Sequence, residues 1–191
     1  LTFSRQGEQE LQPVKIQAVV REASRMLHSV IPSTIDIEEI IDEDCGAILA
    51  DPTQIHQIVV NLCTNAYHAV GDEEGVIGVQ VQQVMQASKS VDAHSEHEPL
   101  PYAELRVTDT GHGIPPEIQD KVFDPYFTTK AKGKGTGLGL AVTHSIVRSF
   151  GGEIEVVSDI DKGTVFSVRF PIVQPRQSKE VDVARATPQG H

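Results

Sequence analysis

The chain has no tryptophan and only two cysteines among its 191 residues. Cys45 and Cys63 have neither the spacing of a metal knuckle nor the pattern of a disulfide framework. Cys63 also falls within an apolar helix pattern, where a cysteine is usually a small core residue. We therefore expect a reduced, cytoplasmic setting, and a packing role for Cys63.

Long apolar runs and positive charge are also scarce. No stretch approaches the roughly 20 apolar residues that a helix needs to cross a bilayer, and no signal-peptide pattern opens the chain. The 16 Lys and Arg residues are outnumbered by 27 Asp and Glu, for a formal net charge of −11. Nucleic-acid binding needs a basic surface that neutralises phosphates. The composition therefore argues against nucleic-acid partners and against membrane contact.

Apolar periodicity predicts helices and strands around one core. Asp51-Pro52 is a typical helix start, with Asp as N-cap and Pro at the first helical position. Pro13 is expected near the start of the first helix, an Asp-Cys-Gly turn is expected to join the first two strands, and 87–101 is expected to be a long hairpin loop. Helices are predicted over 14–29, 52–70 and 137–150, with a short one after Pro115, and strands over 34–41, 47–50, 75–85, 102–108, 153–158 and 164–170.

Two asparagines lie one turn apart on one face of the second long helix. Asn61 and Asn65 have apolar neighbours, so both amides are expected to point from a packed helix into a polar site. A carboxamide oxygen is a hard, neutral ligand suited to Mg²⁺, which keeps several waters and binds substrate phosphates. Solvated or locally bonded asparagines are the ordinary alternative.

The run Asp109-Thr-Gly111-His-Gly113-Ile follows a predicted strand. Asp-X-Gly is also a common turn sequence, which is the alternative explanation. A carboxylate at a strand end can accept a hydrogen from the exocyclic amine of adenine and would repel the keto oxygen of guanine. The glycines allow the backbone to approach a flat ligand closely.

A glycine-rich segment over 133–140 runs directly into the last helix. Backbone N–H groups at such a helix start, with the helix dipole behind them, favour phosphate oxygens. Lys130, Lys132 and Lys134 add local positive charge. The segment is neither a Walker A sequence nor a Rossmann fingerprint, and a flexible linker is the alternative. Taken together, the three segments predict an ATP site.

With Phe123-Asp-Pro-Tyr-Phe127 between them, these segments resemble the catalytic, ATP-binding domain of sensor histidine kinases. That domain belongs to the superfamily of gyrase, heat-shock chaperone, histidine kinase and mismatch-repair ATPases. The segments 61–65, 109–113, 123–127 and 135–140 are similar to its N box, first glycine box, phenylalanine box and second glycine box. The resemblance implies an α+β Bergerat fold: a two-layer α/β sandwich whose mixed, mostly antiparallel sheet carries three main helices on one face. It also implies an ATP lid over 115–136.

The resemblance further implies the role of each residue, with ATP and Mg²⁺ as ligands. Asn65 would bind Mg²⁺, Asn61 would act near the γ-phosphate, and Asp109 would bind the adenine amine. Lys130 or a neighbouring lysine would reach phosphate. His68 stands where many family members have lysine, which leaves open which cation neutralises phosphate. The other implied nucleotide-binding residues are His68, Ala69, Gly111, Gly113, Ile114, Phe127, Lys134, Gly135, Thr136, Gly137, Leu138, Gly139, Leu140 and Thr164.

Related hydrolases have a glutamate base at the position of Asn61. An amide cannot take a proton from water near neutral pH, so we expect phosphoryl transfer to a histidine. None of His28, His56, His68 and His144 has the acidic successor typical of the acceptor. The acceptor is therefore expected on a dimerisation domain of the same protein, outside this chain. Residues 1–12 would end a helix of that domain or form a linker, 13–173 would be the catalytic domain, and 174–191 a polar tail.

A response-regulator receiver domain, fused downstream or separate, is the expected second protein partner. Two alternative functions share the fold. One is a stand-alone serine kinase that acts on an anti-sigma antagonist. The other is a non-catalytic regulatory module that binds nucleotide.

Overall fold

The computed structural model describes residues 11–86, 99–129 and 136–173. Each predicted helix and strand is present, with ends that shift by no more than two residues. The strands are β1 (Gln12–Val14), β2 (Ile35–Ile41), β3 (Ile48–Ala50), β4 (Gly75–Gln86), β5 (Leu100–Asp109), β6 (Glu153–Asp159) and β7 (Gly163–Pro171), and the helices are α1 (Ile16–His28), α2 (Pro52–Val70), α3 (Pro116–Gln119) and α4 (Gly139–Ser149). Most of the predicted 87–101 loop, the terminal segments 1–10 and 174–191, and 130–135 lie outside the described residues.

Five strands form the main sheet in the order β2-β4-β5-β7-β6. β2 runs parallel to β4, and the other neighbouring pairs are antiparallel. In the register of β5 with β7, Asp109 lies opposite Thr164. The sheet is therefore mixed and mostly antiparallel, as predicted, and its central strands bring together Asp109 and Thr164, which were both expected to bind nucleotide.

Helices α1, α2 and α4 pack on one face of this sheet, which confirms the two-layer architecture. Side chains alternate along each strand, so Ile77, Val79 and Val81 all point into the core. Cys63 is 1% exposed, and burial raises the pKa of its thiol to about 12. The prediction that Cys63 is a core residue is confirmed. Among the described residues, none of the helices has both the length and the apolarity that crossing a membrane requires.

One expectation about the first fifty residues is wrong. Pro13 lies in β1, not at a helix start, and β1 pairs antiparallel with β3. A turn at 42–45 joins β2 to β3, with the Cys45 N–H donating to the Asp42 carbonyl at 3.3 Å, but the two strands do not pair, since β2 pairs with β4. The segment between β2 and β3 is bound to α1: the buried amide of Gln17 donates to the carbonyl of Cys45 at 2.7 Å. The contact lies between β2 and β3, just before the chain enters the strand that pairs with β1.

The N-terminal cap of α2 is formed as predicted. The backbone N–H of Thr53 donates to Oδ1 of Asp51 at 2.8 Å, and Pro52 occupies the first helical position. This cap fixes where the helix begins and therefore which residues face the sheet. Isoleucine, valine and leucine side chains of α2 enter the core, while Asn61 and Asn65 lie beside them at the helix margin.

Candidate nucleotide-binding site

A cavity of about 930 Å³ lies between α2, the end of β5, the α3 segment and the start of α4. Its volume is within the range of pockets that enclose small organic ligands. The cavity brings together most of the residues that were expected to bind nucleotide, although they are spread over more than one hundred positions of the sequence. Those that line it are Asn61, Asn65, His68, Ala69, Asp109, Gly113, Ile114, Phe127, Thr136, Gly137, Gly139, Leu140 and Thr164.

Two expected residues do not line this cavity. Gly111 packs against the backbone of Ala69, where an added Cβ would overlap the Ala69 carbonyl. Leu138 is 37% exposed and is not part of the wall. Ala69 is half-buried and lines the cavity. Lys130, Lys134 and Gly135 lie outside the described residues.

Several wall residues had no individual role in the sequence analysis. Thr64 follows the helical spacing of the asparagines but resembles an ordinary surface threonine. His112 sits inside the Asp109 motif without a distinguishing pattern. The others fall within the expected lid or the last strand: Pro115, Ile118, Val122, Thr128, Thr129 and Phe166.

Asp109 is a nearly buried carboxylate at one end of the cavity, with 8% of the residue exposed. Burial raises the pKa of its carboxyl group, and hydrogen bonds from the backbone N–H groups of Gly111 and Thr164, with the nearby His112, partly offset that rise. The Gly111 N–H lies 2.9 Å from Oδ1. Within the described residues, Asp109 has no cationic side chain as partner. A ligand that donates hydrogens would therefore stabilise its ionised form.

Two glycines bring the backbone close behind this carboxylate. Gly113 has φ +71° and Gly163 has φ +95°, both in the left-handed region that favours glycine. A Cβ at Gly113 would overlap the carbonyl of Asp159, and one at Gly163 would overlap the carbonyl of Asp109. The loop after β5 and the β6–β7 turn are thus in direct backbone contact.

Ser158 connects these two loops through its hydroxyl group. Its Oγ accepts from the Ile114 N–H at 2.8 Å, donates to the Gly163 carbonyl at 2.9 Å, and lies 3.0 Å from Oγ1 of Thr164. Gln119 strengthens the connection, since its Nε2 donates to the carbonyls of Ile114 and Ser158. Ser158 could not be recognised from the sequence, because a serine near a strand end has no distinguishing pattern.

Asn61 contacts α4 at the opposite end of the cavity. Its Nδ2 donates to the carbonyl of Gly139 at 3.2 Å and to Oγ1 of Thr143 at 3.3 Å. A carbonyl oxygen can only accept, so the amine end of the amide must face α4. Thr143 is fully buried, and it is a second functional candidate that the sequence analysis missed.

The Asn65 side chain lines the cavity and has no hydrogen-bond partner within the described residues. Among those same residues, no group of three or more His, Cys, Asp or Glu side chains could hold a metal ion. One free amide oxygen suits Mg²⁺, which also coordinates phosphate oxygens and water.

The first turn of α4 closes this end of the cavity. Within the described part of the chain, no side chain caps the N-terminal N–H groups of this helix. The preceding backbone is held to the 123–127 segment, because the Tyr126 N–H donates to the Gly137 carbonyl at 2.9 Å. A negatively charged ligand group fits this helix start.

His68 is exposed at the rim of this end. Its Nδ1 lies 2.6 Å from the Thr64 carbonyl, which can only accept, so Nδ1 carries a hydrogen and Nε2 remains available to the cavity. The structure therefore places an imidazole where the resemblance implied a lysine in many relatives.

Comparison with known proteins agrees with this geometry. Residues 50–174 match the family described as histidine kinase-, DNA gyrase B-, and HSP90-like ATPase. Over 185 residues, covering 96% of the chain, it is 31% identical to the sensor kinase CckA of Brucella abortus strain 2308, of which it covers 20%. It is 34% identical to the sensor histidine kinase ZraS of Escherichia coli K12 over 94% of the chain and 33% of that protein. The chain thus spans a third or less of these curated relatives.

Solved structures give the same result for the fold. The catalytic domain of the histidine kinase ThkA superposes with a TM-score of 0.67 and 29% identity, covering 85% of this chain and 96% of that one. A structure of ThkA in complex with the response regulator protein TrrA superposes with a TM-score of 0.63 and 25% identity, covering 85% of this chain and 42% of that one.

Proposed function

Because the chain belongs to the family of histidine kinase-, DNA gyrase B-, and HSP90-like ATPases, we propose that it is the ATP-binding catalytic domain of a two-component sensor histidine kinase. One observation carries the proposal: a single cavity contains both a nearly buried carboxylate, Asp109, and an amide, Asn65, that has no partner among the described residues. The first suits a nucleobase amine and the second suits the ion that accompanies phosphates.

At the base end, Asp109 binds the exocyclic amine of adenine. Its carboxylate already accepts N–H groups from Gly111 and Thr164, so it is oriented before the ligand enters. A nearly buried acceptor that gains a donor from the ligand makes a charge-assisted hydrogen bond. Guanine would bring a keto oxygen to the same position and would be repelled.

At the phosphate end, Asn65 would hold Mg²⁺ through its carboxamide oxygen. When bound, the ion would supply the positive charge that offsets the negative charge of the phosphates during phosphoryl transfer. The start of α4, with Gly139 and Leu140 in the wall, orients the phosphates through its N–H groups. We assign phosphate contact also to Lys130 or Lys134, and His68 offers Nε2 at the rim.

Transfer to a histidine is favoured over hydrolysis by the chemistry of the wall. Among the described residues that line the cavity, Asp109 is the sole carboxylate, and it lies at the base end. Asn61 stands one turn before Asn65, and its amine end is engaged by Gly139 and Thr143. It cannot act as a general base for water, so a reactive acceptor must come from elsewhere.

That acceptor is a histidine on a dimerisation domain of the same protein. On this assignment, residues 1–12 lead from that domain, 13–173 form the catalytic domain, and 174–191 form a tail. A response-regulator receiver domain then takes the phosphoryl group, in the cytoplasm. The relatives named sensor kinases and the ThkA–TrrA complex support this pairing of partners. No observation favours the serine-kinase alternative.

The test combines this protein with a separately purified dimerisation domain that carries its acceptor histidine, and with γ-labelled ATP and Mg²⁺. Acid-labile phosphate should appear on the added domain and not when its histidine is replaced by glutamine. Asp109→Asn should suppress the transfer. If the protein binds ATP but supports no transfer to any histidine-containing domain offered, it is a nucleotide-binding module and the kinase proposal fails.

A further inference from the structure

We propose that Ser158 determines base specificity by fixing the direction in which the Thr164 hydroxyl donates its hydrogen. The hydroxyl of Thr164 would then face the cavity only as an acceptor, beside the carboxylate of Asp109. Two adjacent acceptors select a base that carries an amino group over one that carries a keto group. The inference rests on the proposed nucleotide binding and extends it to a residue that does not line the cavity.

The two hydroxyl groups form a buried pair behind the base end. Ser158 is 7% exposed and Thr164 is 3% exposed. They lie opposite each other in the register of β6 with β7, with 3.0 Å between their oxygens. Thr164 lines the cavity, whereas Ser158 does not.

Counting hydrogens settles which hydroxyl donates. Ser158 has one hydrogen, and the Gly163 carbonyl 2.9 Å away can only accept it. The Ser158 oxygen has two lone pairs, and the Ile114 N–H occupies one of them at 2.8 Å. The remaining lone pair faces Thr164, so the hydrogen between the two hydroxyls comes from Thr164.

This assignment leaves Thr164 without a hydrogen for the cavity. Its Oγ1 retains lone pairs there, close to Asp109, whose carboxylate is the other acceptor and lies opposite Thr164 in the sheet. A six-amino purine offers hydrogens to such a pair. A six-keto purine places an oxygen with lone pairs there instead, so its six-substituent can make no hydrogen bond to either group.

Ser158 adds to the discrimination that Asp109 provides. A threonine hydroxyl that could rotate freely would turn its hydrogen towards a keto oxygen and recover one hydrogen bond for the wrong base. With its hydrogen held by Ser158, Thr164 cannot do so. Specificity then comes from excluding a compensating contact as well as from forming a correct one.

The test measures dissociation constants of ADP and inosine diphosphate for the whole chain and for Ser158→Ala. Inosine diphosphate differs in having the six-keto group and a protonated ring nitrogen. The ADP preference should fall about fivefold in the variant, the fold-change of one ordinary hydrogen bond. Ser167→Ala is the matched control, since Ser167 is buried on neighbouring β7 and does not line the cavity, and it should keep the wild-type preference.

Thr164 variants keep the proposal testable if Ser158→Ala does not fold, as judged by circular dichroism. Thr164→Ser retains the hydroxyl and should keep the preference, while Thr164→Val should reduce it. In the Thr164→Val background, Ser158→Ala should cause no further change in preference. An unchanged preference in folded Ser158→Ala or in Thr164→Val would overturn the role of Ser158. Failure of the wild-type chain to bind ADP would instead overturn the proposed function.

Discussion

The two ends of the cavity are built in different ways. At the base end, Asp109, Ser158 and Thr164 are all buried, and their hydrogen bonds connect β5, β6 and β7. At the phosphate end, Asn65 has no partner within the described residues, and α4 begins without a side-chain cap. The base end is preorganised before any ligand binds, whereas the phosphate end has groups that the ligand and its ion must satisfy. We therefore expect substitutions that disrupt the backbone contacts of the base end to affect the fold as well as binding.

We expect the largest difference between the two ends when the stability of Gly163→Ala is compared with that of Gly139→Ala. A Cβ at Gly163 would overlap the Asp109 carbonyl at a left-handed φ, while a Cβ at Gly139 would meet Asn61 at an ordinary 3.9 Å. We expect Gly163→Ala to lower the free energy of unfolding by at least about 2 kcal/mol, and Gly139→Ala to change it little. Urea unfolding followed by circular dichroism measures both. Equal losses would show that the two ends are equally rigid.

Asp109→Asn should separate binding from stability. The variant loses a charge-assisted hydrogen bond to the nucleotide, which corresponds to about 2 kcal/mol, or roughly thirtyfold in Kd for ATP. The ligand-free protein should be as stable as wild type or more so, because a poorly solvated charge is removed. Calorimetric titration and thermal melting test the two parts. Asp159→Asn, at an exposed carboxylate, is the control; unchanged ATP affinity in Asp109→Asn would refute the adenine role.

The raised pKa of Asp109 should determine the direction in which the free energy of unfolding changes with pH. Burial raises the pKa of its carboxyl group, so the folded protein holds this proton more tightly than the unfolded chain does. The resulting stabilisation is fully present below the ordinary pKa and disappears as pH rises through the raised value. Nucleotide affinity should change in the opposite direction, falling as pH drops through that value. Melting temperatures of wild type and Asp109→Asn are measured across this pH range. The difference between the two proteins gives the contribution of the Asp109 carboxyl group to the pH dependence of stability.

Asn65→Ala probes the other end and should leave the fold unaffected, because its amide has no partner in the described chain. Binding of ATP without Mg²⁺ should be nearly unchanged, while the gain in affinity on adding Mg²⁺ should disappear. Gln57→Ala removes an exposed amide from the same helix and serves as control. A variant that still responds to Mg²⁺ as wild type does would remove Asn65 as the ligand.

Thr143→Val should have the smallest effect. It removes one of the two acceptors of the Asn61 amine and should cost about 1 kcal/mol of stability. Thr143→Ser retains the hydroxyl that accepts from the Asn61 amide and should therefore lose less stability than Thr143→Val. Thermal melting of the ligand-free proteins compares them. A loss of stability as large as that of Gly163→Ala would show that the phosphate end is preorganised as well, contrary to the comparison above.

Local sequence signals predicted most of the secondary structure and the principal side chains of the cavity. These signals are all short-range patterns: Asn61 and Asn65 lie one helical turn apart, Asp109 lies at a strand end, and glycines precede α4. β1 was missed because three residues carry no periodicity and its pairing with β3 depends on residues some thirty-five positions away. Ser158 and Thr143 were missed for a related reason, since their partners come from distant segments. Gly111 and Leu138 belong to the right motifs, but their orientation depends on packing.

The backbone contacts at Gly113 and Gly163 also limit how this protein can change over evolutionary time. Each glycine faces a main-chain carbonyl of the other loop, and no replacement of a neighbouring side chain can move a carbonyl out of the way. A side chain acquired at either position has no simple compensating mutation. Insertions and deletions in one of these loops should therefore be accepted only together with a matching change in the other. The lengths of the two loops should consequently change together among related sequences.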